Sequence, residues 1–178
     1  FWLANNGFRY GQPQALAAHN EWMEHFSFGC HWASMELAKE LGAAPGFEYH
    51  DKLLPINRYK RTVDELVDPA LHCDWALLDS LIQQFGMFNV GLMMVPTAET
   101  SAGPSNQTTS LEPIRNLLTI KDKSGVNYKQ FAPDCIRLAD KYDFAYDRDI
   151  NADFMKHVAV TQKWIDKAIS ANTFYNPE

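Results

Sequence analysis

Residues 88–113 read FNVGLMMVPTAETSAGPSNQTTSLEP, a nearly unbroken apolar run that empties into a loop of hydroxyls and small side chains. Val90, Leu92, Met93, Met94 and Val95 suit a strand covered on both faces in a parallel sheet, because a strand with one wet face would alternate. Ligands of parallel sheets sit beyond the carboxyl ends of the strands, so residues 96–106 fall where a substrate would lie. Thr97, Thr100 and Ser101 offer hydroxyl donors there, and Ala98, Ala102 and Gly103 keep side chains out of the way. Backbone N–H groups at a following helical turn would complete a phosphate cradle. No Walker lysine is present, so this is not a P-loop. The same composition also serves as a plain connection between elements. Glu99 is the discordant residue, since a carboxylate aimed at phosphates in a dry pocket repels them. Its side chain is expected to turn toward Arg115 or the loop's own N–H groups, leaving its backbone to the ligand.

Outward from this loop the chain reads as helix-rich α/β without repeats. Pro13 and Gln14 open a long helix in which Met23, Phe26, Cys30, Ala33, Leu37 and Leu41 recur at three or four residues and predict one apolar face. Gly42, Pro45 and Gly46 end it. Residues 51–69 read as irregular connection with a short helix, and residues 74–84 as the helix that feeds the apolar run. Residues 116–131 hold β-rich arms around Lys-Ser-Gly-Val, which predicts a hairpin. In the last helix Asn151 is the expected N-cap, with Asp153 in the first turn. Phe154, Val158, Thr161, Ile165 and Ala168 form its inner stripe, and Lys163 and Lys167 favour its carboxyl end.

Of the 178 residues, 46% are hydrophobic and 21% charged, which excludes a disordered chain. The net charge of −6 disfavours a nucleic-acid footprint. No apolar stretch is long enough to cross a membrane. Cys30, Cys73 and Cys135 are widely spaced without CxxC partners and read as inert, buried or half-buried thiols suited to a reducing compartment. His19, His25 and His31 share a helix at spacings of six, which turns successive imidazoles about 120° apart and away from the i, i+4 geometry of a zinc pair. Asp140, Asp143, Asp147, Asp149 and Asp153 lack EF-hand spacing and read as a solvated helix face. Trp22, Phe26, Phe28 and Trp32 read as core and packing surface.

Several segments resemble the large, catalytic subunit of class I ribonucleotide reductase. They are FWLANNGFRYG (1–11), SMELAKELGAAPGF (34–47), LLPINRYK (53–60), DWALLDSLIQQFGMFN (74–89) and WIDKAISANTFYNP (164–177), with the 88–113 loop between them. Anchored on Asn89, Ser105, Asn106, Glu112 and Pro113, the bacterial and phage-like branch aligns without a gap. Glu99, Thr100 and Ser101 then fall on the family's Glu-Thr-Ser. Ala98 stands where Ser or Thr is usual and Thr97 where Pro is usual, which leaves open which of the two faces phosphate. Ser170, Ala171, Asn172 and Thr173 match the family's Ser-Ala-Asn-Thr, for which a structural role is expected.

The resemblance implies a portion of a ten-stranded α/β barrel with a β-hairpin insertion, residues 1–178 forming one partial domain internal to its carboxyl-terminal part. It implies substrate binding by Thr97, Ala98, Glu99, Thr100 and Ser101. The activity implied is thiyl-radical reduction of ribonucleoside diphosphates. The radical cysteine, the redox pair and the tyrosine pair that carries the radical are missing here, so no catalytic residue and no metal ligand is assigned. A barrel of this general kind needs roughly 250 residues or more, so the chain is expected to be a piece of one. The implied partners are a small radical-generating subunit holding the metal and radical cofactor, thioredoxin or glutaredoxin, ATP and deoxynucleotide effectors, and a second large subunit. The implied location is the cytoplasm, of a host if phage-encoded. The alternatives are a non-catalytic nucleotide-phosphate-binding or assembly module, including a split-gene piece, and a different radical-using barrel enzyme.

Overall fold

The computed structural model describes residues 1–58, 63, 65–68, 70–98, 101–123, 125–147 and 149–175. They gather into two compact units. The first comprises Phe1–Ala15, Val95–Val158 and Ile169–Glu178, the second Leu16–Met94 and Ala159–Ala168. The helices are α1 (Trp2–Asn5), α2 (Pro13–Leu41), α3 (Trp75–Phe85), α4 (Cys135–Leu138) and α5 (Ile150–Trp164), and the strands are β1 (Leu118–Lys123) and β2 (Val126–Phe131). Among the described residues no helix is long and apolar enough to cross a membrane.

In the second unit α2 is as long as the sequence predicts, but a different face is buried. Phe26, Leu37 and Leu41 are 50%, 40% and 67% exposed, and Ala33 is exposed as well. The buried stripe instead carries Asn20, Glu24, Ser27, His31 and Ser34 among Leu16, Met23, Met35 and Ala38. The reason is that these polar groups are paired, and a paired polar group can be buried without the penalty of an orphan. Asn20 Oδ1 accepts from Trp164 Nε1 at 2.8 Å, and Ser27 Oγ donates to the Trp164 carbonyl at 2.7 Å. Ser34 Oγ donates to Asn89 Oδ1 at 3.1 Å and accepts from the Asn89 N–H at 2.9 Å.

Glu24, fully buried, is the hub of this stripe. Its Oε1 accepts from the His72 and Cys73 amides at 2.8 and 3.0 Å and from Trp75 Nε1 at 3.1 Å, while Oε2 faces His72 Nδ1 at 2.9 Å. These bonds fix the turn that starts α3, whose first N–H groups Asp74 caps through Leu77 N at 3.0 Å. Trp75 then stacks on Trp164 with ring centroids 5.9 Å apart. Gly86 stops the helix at φ 75°, where a Cβ would lie 2.7 Å from that of Ala43.

The apolar run after α3 is not the regular buried strand its composition predicts. Val90 and Met94 are 70% and 62% exposed, and among the described residues the run's bridge partner is Ile169, parallel to Val95. A strand exists by virtue of its neighbours' backbone groups, and here a side chain stands in for a neighbour. Asp166 accepts from the Leu92 and Met93 amides at 3.0 and 2.8 Å.

In the first unit β1 and β2 pair antiparallel, from Leu118 opposite Phe131 to Lys123 opposite Val126, as the hairpin signal predicts. A second parallel bridge joins Ile114 to Phe144. The described residues therefore hold mixed helix, one two-stranded sheet and two parallel bridges rather than a closed ten-stranded barrel, which needs every strand paired on both edges. Two further expectations are corrected. Asn151 lies inside α5 rather than capping it, and its carboxamide mimics a peptide group: Oδ1 accepts from the Phe174 N–H at 3.1 Å and Nδ2 donates to the Phe174 carbonyl at 2.5 Å. Asp143 and Asp147 lie outside any helix, not on a solvated helix face, because donors of the protein claim them. Asp143 accepts from Arg9 Nη1 and the Tyr10 amide, each at 2.9 Å, and Asp147 from the Phe144 amide at 2.9 Å.

Candidate functional site

Where Val95 pairs with Ile169, the Ser170 amide donates to the Val95 carbonyl at 2.9 Å. Pro96 then turns the chain into a cleft of about 620 Å³, lined by Thr97 and Ala98, the loop 107–116, the hairpin, and Ser170 and Asn172. The first unit builds this cleft from segments far apart in sequence. Arg9 and Tyr10 anchor it from behind: the Arg9 guanidinium bonds the Tyr142 carbonyl at 2.8 Å and also the Asp140 carbonyl, and the Tyr10 hydroxyl donates to the Leu111 carbonyl at 2.7 Å. Burial, with Asp143 and Glu112 nearby, holds the Tyr10 phenol well above its ordinary range, so it stays a donor.

The structure brings Thr97 and Ala98 to the cleft wall. Ser101 opens a run of turns rather than a helix: Ser105 Oγ donates to the Ser101 carbonyl at 3.0 Å, and the Asn106 and Gln107 amides bond Gly103 and Ala102 at 3.0 Å each. Glu99 and Thr100 lie outside the described residues, and with them the expected turn of Glu99 toward Arg115.

Sequence reasoning passed over most of the wall. Arg115 and Lys121 supply two cations, against the single carboxylate of Glu112 among the described lining residues. The Arg115 guanidinium lies over the Phe174 ring at 5.1 Å, which holds it in place. Glu112, 9% exposed, accepts from both the amide and the Nδ2 of Asn172, at 2.8 and 2.7 Å. That carboxylate is therefore engaged by the protein, and the cleft presents hydroxyls and positive charge. Glu112 and Asn172 stand 60 residues apart, so spacing could not have linked them; both were visible only as matches to family segments. Glu112→Ala removes the acceptor of two Asn172 donors, but Asn172 is exposed and water replaces much of the loss, so it should cost about 1 kcal/mol of stability, measured by urea unfolding, with Asn172→Ala costing little more in its presence.

Ser110, another unforeseen member, borders the cleft with φ 63°, a left-handed conformation that side chains other than Gly rarely adopt. Its Oγ is buried and, among the described residues, without a hydrogen-bond partner. Cys30, Cys73 and Cys135 are free and half-buried. Burial pushes the Cys30 thiol up; burial and then Glu24 do the same to Cys73, whose Sγ lies 3.3 Å from His25 Nδ1. Among the described residues no group of three or more His, Cys, Asp or Glu is placed to hold a metal ion.

The cleft thus lies at the end of a parallel-paired segment, and its described charged lining residues are Glu112, Arg115 and Lys121. A family model described as "Ribonucleotide reductase, barrel domain" matches residues 1–140, and the chain belongs to that family. Its relatives include the ribonucleoside-diphosphate reductase 1 subunit alpha of Salmonella typhimurium, 37% identical over 180 residues, covering 99% of this chain and 24% of the relative. The subunit alpha of Haemophilus influenzae is 38% identical across 100% of this chain and 24% of its own length. That of Enterobacteria phage T4 is 32% identical across 99% and 24%. The chain thus spans about a quarter of the length of these relatives.

Proposed function

We propose that residues 1–178 are a portion of the catalytic barrel of a ribonucleoside-diphosphate reductase large subunit and supply its substrate-diphosphate site. Thr97, Ala98, Glu99, Thr100 and Ser101 form the phosphate loop, and Arg115 and Lys121 line the same cleft as Thr97 and Ala98. The observation that carries this reading is the placement of Thr97 and Ala98 in a cleft whose described charged groups are two cations and one internally bonded carboxylate. This segment contributes positioning. It holds the substrate's charged tail so that the ribose meets a thiyl radical from a cysteine outside these residues, and misplacement by about 1 Å costs on the order of a hundredfold in rate.

The complete enzyme would draw its radical from a metal-containing small subunit and be re-reduced by thioredoxin or glutaredoxin. It would work as a cytoplasmic homodimer under ATP and deoxynucleotide control. The test is the pair Thr100→Ala and Ser101→Ala in the full-length subunit. The Michaelis constant for ribonucleoside diphosphates should rise about tenfold, the equivalent of one or two hydrogen bonds to a charged group, with kcat within about twofold. Unchanged kinetics would remove the loop from substrate binding.

A further inference from the structure

We infer that the Ser110 hydroxyl is a ligand-contacting group of the cleft, donating to a phosphate oxygen of the bound nucleotide. The inference rests on the phosphate-cleft reading above. Three independent observations meet at this residue. Ser110 borders the cleft beside Thr108 and Thr109. Its backbone is held at φ 63°, where glycine would sit without strain and serine does not. Its hydroxyl, in the rotamer it holds, is sealed from solvent and meets no donor or acceptor among the described residues.

Unpaired buried hydroxyls and left-handed side-chain residues are each unfavourable, and such features persist where the surroundings or a ligand compensate them. A serine side chain has one rotatable bond, with three staggered settings, by which to find a partner. The polar space that Ser110 borders is the cleft. A hydroxyl donates well to an anionic oxygen, and a charge-assisted bond is shorter and stronger than a neutral one.

Ser110→Gly separates the two roles of the residue, because it removes the hydroxyl and relieves the backbone together. In the full-length subunit, calorimetric titration with cytidine diphosphate and with cytidine is compared with the unliganded melting temperature. Ser110→Gly should bind cytidine diphosphate about tenfold more weakly, the equivalent of 1.4 kcal/mol, and cytidine as wild type does, while melting at or above the wild-type temperature. Ser110→Ala should show the same loss for the diphosphate with no gain in melting temperature. A purely structural serine would not give weaker binding with greater stability. Cytidine diphosphate affinity within twofold of wild type in Ser110→Gly overturns the inference and leaves the cleft reading standing. An equal loss for cytidine also overturns it, by taking the hydroxyl away from the phosphates. Failure of the wild type to bind cytidine diphosphate overturns both.

Discussion

Glu24→Ala should cost on the order of 4 kcal/mol of folding stability. Removing the carboxylate leaves the buried Trp75 indole N–H and the part-buried His72 and Cys73 amides without an acceptor inside the protein, and a buried donor so orphaned costs about 1–3 kcal/mol, a part-buried one less. Glu24→Gln should be far milder, about 1 kcal/mol. A carbonyl in the place of Oε1 still accepts those three bonds, and the amide can donate to a neutral His72 ring. Urea unfolding followed by the fluorescence of the buried Trp75 and Trp164 measures both. Equal losses for Ala and Gln would show that charge, not bond count, is what the site needs.

The same pair carries a pH signature. Burial raises the Glu24 pKa, but bonds from the His72 side chain, the two amides and Trp75 outweigh it, and the net shift is downward from 4.5. Its contribution is therefore present above pH 4.5 and drains as pH falls through the lower folded value. The His72 ring, bonded to Glu24, is shifted upward from 6.5 despite some desolvation. Its contribution is complete below 6.5 and is lost as pH rises through the folded value. Glu24→Gln should abolish both limbs.

Acidification should weaken the first unit through His157. Burial lowers this imidazole from 6.5 to about 4, with Asp153 opposing and Lys156 assisting. Its Nε2 faces the Gly11 N–H at 3.4 Å, and the ring meets Tyr10 edge-on at 5.2 Å, so a protonated Nε2 would aim a second donor at a donor. Because the unfolded chain takes up the proton first, stability falls as pH drops from 6.5 toward 4, by about 3 kcal/mol for a lowering of this size. Urea midpoints at pH 7 and pH 4.5 should differ accordingly, and His157→Gln should remove most of the difference. An NMR titration placing the His157 pKa near 6.5 would sink the prediction.

The amino-acid sequence by itself determined the elements whose causes are local. Asp74 caps α3 because its carboxylate reaches an amide three residues on, and the β-rich arms around residues 123–126 close a hairpin because turn and strands lie within one short stretch. It also determined the family and the position of the loop that begins at Thr97, since linear matches carry both. Tertiary structure alone decided which face of α2 is buried. A helical wheel ranks Phe26 and Leu37 above Asn20 and Glu24, yet it is the polar side chains that find partners on Trp164, His72 and Trp75 and so lose nothing on burial. The far wall of the cleft is of the same kind. Glu112 meets Asn172 and Arg115 meets Phe174 across about sixty residues of chain, and a hydrogen bond or a cation over a ring depends on distance in space, which spacing along the chain does not encode.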